Sequence, residues 1–240
     1  MQKAKLQFKI KKFQQLVRDF YKNNKRNLPW RHTRNPYHIL VSEVMLQQTQ
    51  VSRVIEKYPQ FIKKFPTVQS LARASLSLVL TEWNGLGYNR RAKFLKIIAE
   101  EIVLRHSGKV PSNLPELIAL PGVGESTAGG ILAFAYNKPA VFIETNIRRA
   151  FLHHFFPNQK NVPDSKILPL VEKSLNRTNS REWYYALFDY GTYLVSVIPA
   201  NPNKRSRHYA KQARFKGSFR EVRGKILRAL ILAPRTFAYL

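Results

Sequence analysis

The sequence predicts an all-α fold, and three observations lead to it. Apolar residues recur at spacings of three and four, the periodicity of a helix that buries one face. No alternating pattern of the kind typical of strands competes with this signal. Proline, glycine and asparagine mark the loops between the periodic segments. These segments are residues 8–21, 37–58, 68–83, 92–104 and 183–197.

A glycine hairpin joins two further helices near the middle of the chain. A short helical pattern ends at Pro121, and residues 126–136 give a second helix rich in alanine and glycine. The turn between them is Gly122, Val123 and Gly124. Glycine can adopt backbone conformations that other residues cannot. The N–H groups at the start of the second helix can bind a phosphate. The alternative is an ordinary glycine turn between two helices, and the turn sequence taken alone favours this alternative.

The composition favours a folded protein that binds a polyanion. The chain has 240 residues, with 41 Lys and Arg against 14 Asp and Glu, a formal net charge of +27. A hydrophobic fraction of 44% is ample for a buried core. A membrane surface is the rival partner, but the sequence has no long apolar span and no signal-peptide core. We therefore expect a DNA- or RNA-binding protein. If the source is prokaryotic, we expect it in the cytoplasm, associated with the nucleoid.

Cysteine is absent, which excludes disulfides, thiolate metal sites and cysteine nucleophiles. The six histidines are scattered except for His153 and His154, which point in different directions on a helix. We interpret this pair as surface or phosphate-facing residues. The sequence therefore predicts neither a metal site nor a cofactor.

Two acids lie beside apolar runs. Glu43 has Ile39, Leu40, Leu46, Gln47 and Gln50 at helical neighbour positions. Loss of solvation there raises the pKa expected for Glu43 and lets it donate a proton at neutral pH, whereas a surface glutamate is the ordinary alternative. Glu144 follows the apolar residues 140–143. Hydrolysis of a glycosidic bond needs two such acids, one as proton donor or base and one to stabilise the cationic sugar.

Four motifs together resemble the MutY-type adenine DNA glycosylases. These enzymes belong to the helix-hairpin-helix superfamily of base-excision repair, which includes endonuclease III. The motifs are LVSEVMLQQTQV at 40–51, WNGLGY at 83–88, LPGVGESTA at 120–128 and NIRR at 146–149. The similarity runs from about residue 28 to residue 191.

The resemblance implies an endonuclease III-like fold of two helical domains, with DNA and a flipped base in the cleft between them. The helix-hairpin-helix motif would span about residues 113–136 of a central domain at 35–145. A second domain would combine residues 1–34 with 146–240. The implied partner is double-stranded DNA with a mismatched or damaged base, bound by a monomer that has no membrane role.

The resemblance also implies roles for individual residues. Glu43 matches the catalytic glutamate that protonates the base and assists water, and Asn146 matches an asparagine that supports the catalytic acids. The implied base pocket contains Trp30, Arg31 and Ser126. Residues implied to enter the duplex, where a flipped nucleotide leaves a gap, are Gln48, Leu86 and Tyr88. Gly122, Val123 and Gly124 become the phosphate hairpin, whose carbonyls often hold a monovalent cation in the family.

The sequence departs from the family pattern at two sites of chemistry. Glu144 stands where the family has a catalytic aspartate, so its reach is one methylene longer. Ser126 stands where bifunctional relatives have the lysine that forms a Schiff base. We therefore expect a monofunctional glycosylase that leaves an abasic site without cleaving the strand.

The region after residue 191 also departs from the pattern. The family usually has a four-cysteine iron-sulfur loop there, but residues 196–216 contain no cysteine. We expect packing to replace the cluster and basic residues to bind DNA. These are Lys204, Arg205, Arg207, Lys211 and Arg214. Because the chain given ends at Leu240, without a separate domain for 8-oxoguanine, we expect weak or altered selection of the opposite base.

Three functions remain open at this point. The first is excision of adenine opposite guanine or 8-oxoguanine, and the second is removal of thymine or uracil from mismatches with guanine. The third is a DNA-binding module without chemistry. Glu43 argues against the third, because an acid facing phosphates repels them and serves no purpose in a pure binder.

Overall fold

The computed structural model describes residues 2–210 and 216–232 of the chain. Within them it is helical, with one isolated parallel bridge between Val162 and Ser206 as its only β-type pairing. The helices are α1 (Gln2–Asn24), α2 (Pro36–Leu46), α3 (Val51–Lys64), α4 (Val68–Arg73), α5 (Leu76–Trp83), α6 (Arg90–Arg105), α7 (Leu114–Ala119), α8 (Glu125–Tyr136), α9 (Thr145–Phe155), α10 (Asp164–Ser174), α11 (Ser180–Val197) and α12 (Phe219–Leu232). Two short 3-10 helices are Pro29–His32 and Pro202–Arg205. The predicted all-α class is confirmed.

Two of the predicted segments are each divided into two helices. Residues 37–58 break between α2 and α3, where Gln48 adopts a left-handed conformation with φ of 53°. Residues 68–83 break before Ser75, whose hydroxyl accepts a hydrogen bond from the Leu78 N–H at 3.2 Å and so caps α5. Side-chain caps of this kind satisfy backbone groups that the helix leaves without partners. Apolar periodicity continued through both breaks and therefore concealed them.

The chain divides into two compact units. The first is Met1–Leu28 with Gly124–Ala210, and the second is Pro29–Val123 with Lys211–Leu240. In the first unit, the Phe13 ring of α1 contacts the Phe151 ring of α9 at 5.0 Å. In the second, the fully buried Phe61 and Trp83 meet edge to face at 5.9 Å. Each unit thus has its own aromatic core.

These units correct the predicted domain boundaries of 35–145 and of 1–34 with 146–240. The helix α8 belongs with the terminal unit, because its Phe134 ring stacks on Tyr185 of α11 at 4.4 Å. Gly129 of α8 also lies so close to Phe142 that an added Cβ would stand 2.5 Å from the ring. The helix α12 instead belongs with the central unit, where it contacts α5. The hairpin is therefore where the chain passes from one unit to the other.

An ion pair fixes the residues that follow α1 to helix α11. The Arg26 guanidinium donates to Asp189 through Nε at 2.5 Å, and its backbone N–H donates to the second oxygen at 3.0 Å. The Asp189 side chain is only 1% exposed. A buried carboxylate of this kind depends on its partner, since burial of an unpaired charge is strongly unfavourable.

His154 is half-buried and has partners within the first unit. Its Nε2 lies 2.7 Å from the Tyr190 hydroxyl, and its ring packs against Phe13 at 5.1 Å. Burial, together with the charges of His153 and Lys9, lowers the pKa of His154 to about 4. The residue therefore stays neutral at neutral pH and packs, half-buried, against α1 and α11.

Among the described residues, no helix has the length and apolar character to cross a membrane.

Candidate active site

The N-terminus of α9 carries a carboxylate held by three hydrogen bonds. Glu144 is the N-cap residue, and its Oε1 accepts from the backbone N–H groups of Asn146 at 2.7 Å and Ile147 at 2.8 Å. Its Oε2 accepts from the Asn146 side-chain amide at 3.1 Å. The N-terminal end of a helix favours negative charge. The fold therefore holds the Glu144 carboxyl at a defined position.

Asn146 is itself held from behind by Arg149. The Asn146 side-chain oxygen accepts from Arg149 Nη1 at 2.7 Å, so the amide nitrogen must face Glu144. The same Nη1 donates to the Gly191 carbonyl at 2.7 Å, and Nε donates to Asn201 at 3.3 Å. Glu144, Asn146 and Arg149 thus form one chain of hydrogen bonds. The predicted role of Asn146 as a support for a catalytic acid fits this geometry.

Sequence reasoning assigned no role to Arg149 or Gly191. Arg149 lies three residues after Asn146, on the same face of α9, and this spacing is the signal that could have identified it. Gly191 lies against the Asn146 backbone, so closely that a Cβ would overlap it. A glycine inside a helix usually costs stability, and its presence here is explained by this close approach.

Two opposing effects act on the Glu144 carboxyl. Desolvation raises its pKa above the ordinary value of 4.5. The hydrogen bonds from Asn146 and Ile147 and the charges of Arg149 and Arg148 oppose this shift without cancelling it. The carboxyl therefore takes up a proton more readily than an exposed glutamate does.

The segment after α11 packs on α9 through its own side chains. The Asn203 amide donates to the Thr145 carbonyl at 3.0 Å. Arg205 donates to the carbonyls of Leu152, at 3.0 Å, and of Pro157, beyond the last turn of α9. This segment cannot bind the iron-sulfur cluster of the family, because cysteine thiolates are its ligands and the chain has none. Hydrogen bonds to both ends of α9 occur here instead.

The basic residues of this segment differ in what they contact. Arg205 is directed to the protein's own carbonyls, so the structure gives it a packing role in place of the predicted DNA contact. Lys204 and Arg207 are exposed, and their contact with DNA stays a prediction. Lys211 and Arg214 lie outside the described residues.

In the second unit, Glu43 lies on α2 between buried neighbours. Ser42 and Val44 on either side of it are at most 3% exposed, whereas Glu43 itself is half-buried. Nearby, the 3-10 helix places Trp30 against Tyr58, with ring centroids 5.8 Å apart, and leaves Arg31 half-buried. The catalytic role of Glu43 and the pocket roles of Trp30 and Arg31 stay predictions.

The residues predicted to enter the duplex separate into two groups. Gln48 and Tyr88 both have left-handed backbones, with φ of 53° and 48°, and both line one groove of this unit. Left-handed geometry is strained for such side chains and is often retained at functional sites. Leu86 is only 2% exposed, so its predicted insertion into DNA is not supported. Its side chain belongs to the core of the second unit.

The hairpin shows why Gly122 must be glycine. Its φ is 79°, and an added Cβ would stand 2.6 Å from the Phe94 ring. Its carbonyl accepts from the Gln47 amide at 3.4 Å, which links the hairpin to the end of α2. Val123 is only 4% exposed and its N–H donates to the Leu120 carbonyl, so it anchors the hairpin and offers no side-chain contact to a phosphate.

The start of α8 retains the features of an anion site. Gly124 is the N-cap, and as glycine it has no side chain that could cap the helix. Ser126 lies in the first turn and is half-buried. Phosphate binding here, a pocket role for Ser126 and a monovalent cation at the hairpin carbonyls stay predictions.

The family assignment follows from comparison with known proteins. The model of the HhH-GPD superfamily of base excision DNA repair proteins matches residues 41–175, which is more than half of the chain. The chain belongs to this superfamily. The matched range includes Glu43, the hairpin and the Glu144 network. The helix-hairpin-helix assignment made from the motifs is thereby confirmed.

Two curated relatives of this HhH-GPD protein are adenine DNA glycosylases. The one from Buchnera aphidicola subsp. Baizongia pistaciae is 35% identical over 192 residues, which cover 79% of this chain and 54% of the relative. The one from Mycobacterium tuberculosis is 43% identical over 131 residues, covering 54% of this chain and 43% of the relative. The chain spans about half the length of these curated relatives.

Two solved structures share the HhH-GPD fold. A thermostable thymine-DNA glycosylase superposes with a TM-score of 0.72 at 26% identity, covering 83% of this chain and 93% of the other. A non-covalent endonuclease III-DNA complex superposes with a TM-score of 0.68 at 18% identity, covering 84% and 95%. The endonuclease III-like fold class is thus confirmed.

Proposed function

We propose that this chain is a monofunctional DNA glycosylase that hydrolyses the N-glycosidic bond of a mispaired base, with adenine opposite guanine or 8-oxoguanine as its substrate. The observation that carries the proposal is the Glu144–Asn146–Arg149 network, which holds a carboxylate at a helix N-terminus in a member of a base-excision family. The adenine DNA glycosylase relatives support the choice of base.

The proposed reaction divides the work between two acids. Glu43 donates a proton to the departing base, and the bond between the sugar C1′ and the base nitrogen breaks with its electron pair leaving on the base. The ionised Glu144 stabilises the positive charge that develops on the sugar. Water then adds to C1′, and Glu43, now a carboxylate, accepts the proton that this water releases. The products are a free base and an abasic site.

Removal of thymine or uracil from mismatches with guanine is the second candidate. One observation favours it, namely the superposition on a thymine-DNA glycosylase that covers 93% of that chain. Position 144 is also relevant to which base is removed, because its glutamate reaches one methylene further than the aspartate of the family.

A panel of mismatched duplexes tests both candidates. We expect release of adenine from duplexes with A opposite G or 8-oxoguanine, and loss of this release in Glu43→Gln. Glu56→Gln is the matched control, since it removes an exposed acid from α3 of the same unit. Release of thymine or uracil without adenine would establish the second candidate. Equal rates for Glu43→Gln and the control would contradict the catalytic assignment.

The monofunctional assignment has a separate test. A β-lyase needs an amine that attacks C1′ to form a Schiff base, and position 126 offers a serine hydroxyl instead. With borohydride present during turnover, we expect no covalent adduct between the protein and DNA. A trapped adduct at high yield would show that another amine takes this role.

A further inference from the structure

A groove in the second unit is lined by arginines from three parts of the chain. Its volume is about 1080 Å³, and it runs between the turn after α2, the residues that join α5 to α6, and one face of α12. The arginines are Arg53, Arg90, Arg91, Arg220, Arg223 and Arg228. Within the described residues, the groove lining contains no aspartate or glutamate. The groove is therefore strongly positive.

One side of α12 forms a wall of this groove. Arg220, Gly224 and Arg228 follow one another at intervals of four residues, so they share one face of the helix, and Arg223 lies beside them. At Gly224 an added Cβ would meet only Arg228, at 3.8 Å. The acid of this helix, Glu221, is paired with Lys225 at 3.1 Å and does not line the groove.

Two of the arginines shape the groove. Arg91 donates through Nη1 to the carbonyls of Val44 and Met45, at 2.7 and 2.8 Å, and through Nη2 to Gly87 at 3.1 Å. It therefore joins the end of α2 to the loop before α6. Arg220 donates to the Tyr88 hydroxyl at 2.9 Å, and its guanidinium lies over the Tyr88 ring at 5.9 Å.

The remaining arginines are exposed to solvent. Arg53, Arg90, Arg223 and Arg228 are all exposed residues that line the groove. A guanidinium matches the oxygens of a phosphate with parallel hydrogen bonds and keeps its charge at every relevant pH. Four such groups along one groove suit an extended polyanion better than a single phosphate.

We propose that α12 is a DNA-binding element, in which Arg223 and Arg228 contact backbone phosphates of the duplex while Arg220 positions Tyr88. The proposal rests on the proposed function, because it takes the substrate duplex as the occupant of the groove. Arg220 acts through Tyr88, so it is a positioning residue. The strained left-handed backbone of Tyr88 makes such a support useful, since the hydrogen bond limits where the ring can point.

Measurement of DNA affinity against salt concentration tests the phosphate contacts. The variant Arg223→Ala/Arg228→Ala is compared with Arg73→Ala/Arg105→Ala, which removes the same charge from exposed positions of the same unit outside the groove. For a mismatched duplex we expect the groove variant to bind about tenfold more weakly at moderate salt, and the slope of log affinity against log salt to shrink by about 0.9 for each lost contact. Equal affinities and slopes for the two variants would overturn the proposal.

The same samples separate this proposal from the proposed function. At limiting protein concentration, base release by the groove variant should fall in proportion to its DNA affinity, whereas Arg73→Ala/Arg105→Ala should release base at the wild-type rate. A wild-type protein that releases no base, but binds DNA through Arg223 and Arg228, would defeat the proposed function alone. Tighter binding of inorganic phosphate than of DNA in the groove would overturn the α12 proposal alone.

The positioning role of Arg220 has its own readout. A fluorescent base analogue placed beside the mismatch reports unstacking of the duplex when Tyr88 enters. We expect Arg220→Ala and Tyr88→Phe to weaken this signal, the double variant to weaken it no further than the stronger single variant, and Arg220→Lys to restore part of it. Independent, additive losses would contradict the coupling. Unfolding midpoints of all variants serve to distinguish a local effect from loss of the fold.

Discussion

At the scale of single residues, Gln48 combines backbone strain with a predicted role in DNA. It is exposed and has a φ of 53°. This left-handed backbone costs a residue with a Cβ about 1 kcal/mol, a cost that glycine does not have. We expect Gln48→Gly to raise the free energy of unfolding by up to about 1 kcal/mol. Because the amide is lost, base release should fall on the order of tenfold, equivalent to about 1.4 kcal/mol. Thermal unfolding and single-turnover assays measure the two effects.

The control for Gln48 is Ser107→Gly. Ser107 is also exposed and left-handed, with φ of 51°, and it does not line the groove. It should gain stability to a similar degree while activity is unchanged. Loss of activity in both variants, or in neither, would contradict a specific role for the Gln48 side chain.

Ionisation of Glu144 should make the free energy of unfolding depend on pH. Its pKa in the folded protein is raised above 4.5, so the folded state binds a proton more tightly than the unfolded state does. The stabilisation from this proton is complete below the unfolded pKa and is lost as the pH rises through the raised one. Denaturant titrations of Glu144→Gln should lack this step, and its base-release rate should fall about 10²- to 10³-fold.

The base-release rate of the wild type should depend on the same ionisation, with the opposite direction of change. In the proposed reaction only the ionised Glu144 stabilises the cationic sugar, so the rate should fall as the pH drops through the raised pKa. Glu125→Gln is a suitable control, since it removes an exposed acid from the first turn of α8. A wild-type rate that stays constant as the pH falls from neutral to 4.5 would contradict ionisation of Glu144 as a requirement.

At the scale of elements, the contact between α9 and α11 determines where the N-terminus of α9 lies. In Gly191→Ala the added Cβ would stand 2.7 Å from the Asn146 Cβ, so α9 must shift. We expect a loss of roughly 1–3 kcal/mol in stability. Because misplacement of a catalytic group by about 1 Å can reduce rates about 100-fold, the base-release rate should fall while DNA affinity changes little.

The control for Gly191 is Gly224→Ala in α12. An added Cβ there makes only an ordinary contact with Arg228, so the substitution should leave stability unchanged or raise it by about 0.5–1 kcal/mol. A Gly191→Ala variant that is as stable and as active as the wild type would show that the fold does not depend on this close approach.

At the scale of the whole molecule, the ion pair of Arg26 with Asp189 joins the N-terminal segment to the first unit. Arg26→Ala leaves a buried carboxylate and should lower the free energy of unfolding by about 3 kcal/mol. Arg26→Ala combined with Asp189→Asn should recover part of this loss. Lys22→Ala is the control, because its contact with Asp19 at 3.4 Å is exposed and should contribute less than about 1 kcal/mol. Equal stabilities of Arg26→Ala and Lys22→Ala would contradict the importance of the buried pair.

Much of this architecture could be predicted from the sequence, because helical periodicity and turn residues are local signals. The class of fold, the helices α6, α8 and α11 and the glycine hairpin were all predicted. Unit boundaries were not, since they depend on long-range contacts such as Phe134 with Tyr185. No local pattern shows which partner a helix will pack against.

The candidate site was predictable to the extent that short motifs define it. Glu144 and Asn146 were identified, and the structure places them within hydrogen-bonding distance. Arg149 and Gly191 were missed, because the first looks like one more basic residue in a basic chain and the second requires knowledge of its neighbour. Leu86 was misjudged for a related reason, since its burial depends on the core around it.

The most direct test of the central claim is base release by Glu43→Gln beside Glu56→Gln over the panel of mismatched duplexes. We expect adenine release by the wild type and by Glu56→Gln, with no detectable release by Glu43→Gln although it still binds DNA. Adenine release by Glu43→Gln at the wild-type rate, or binding of mismatched DNA by the wild type without release of any base, would contradict the proposed function.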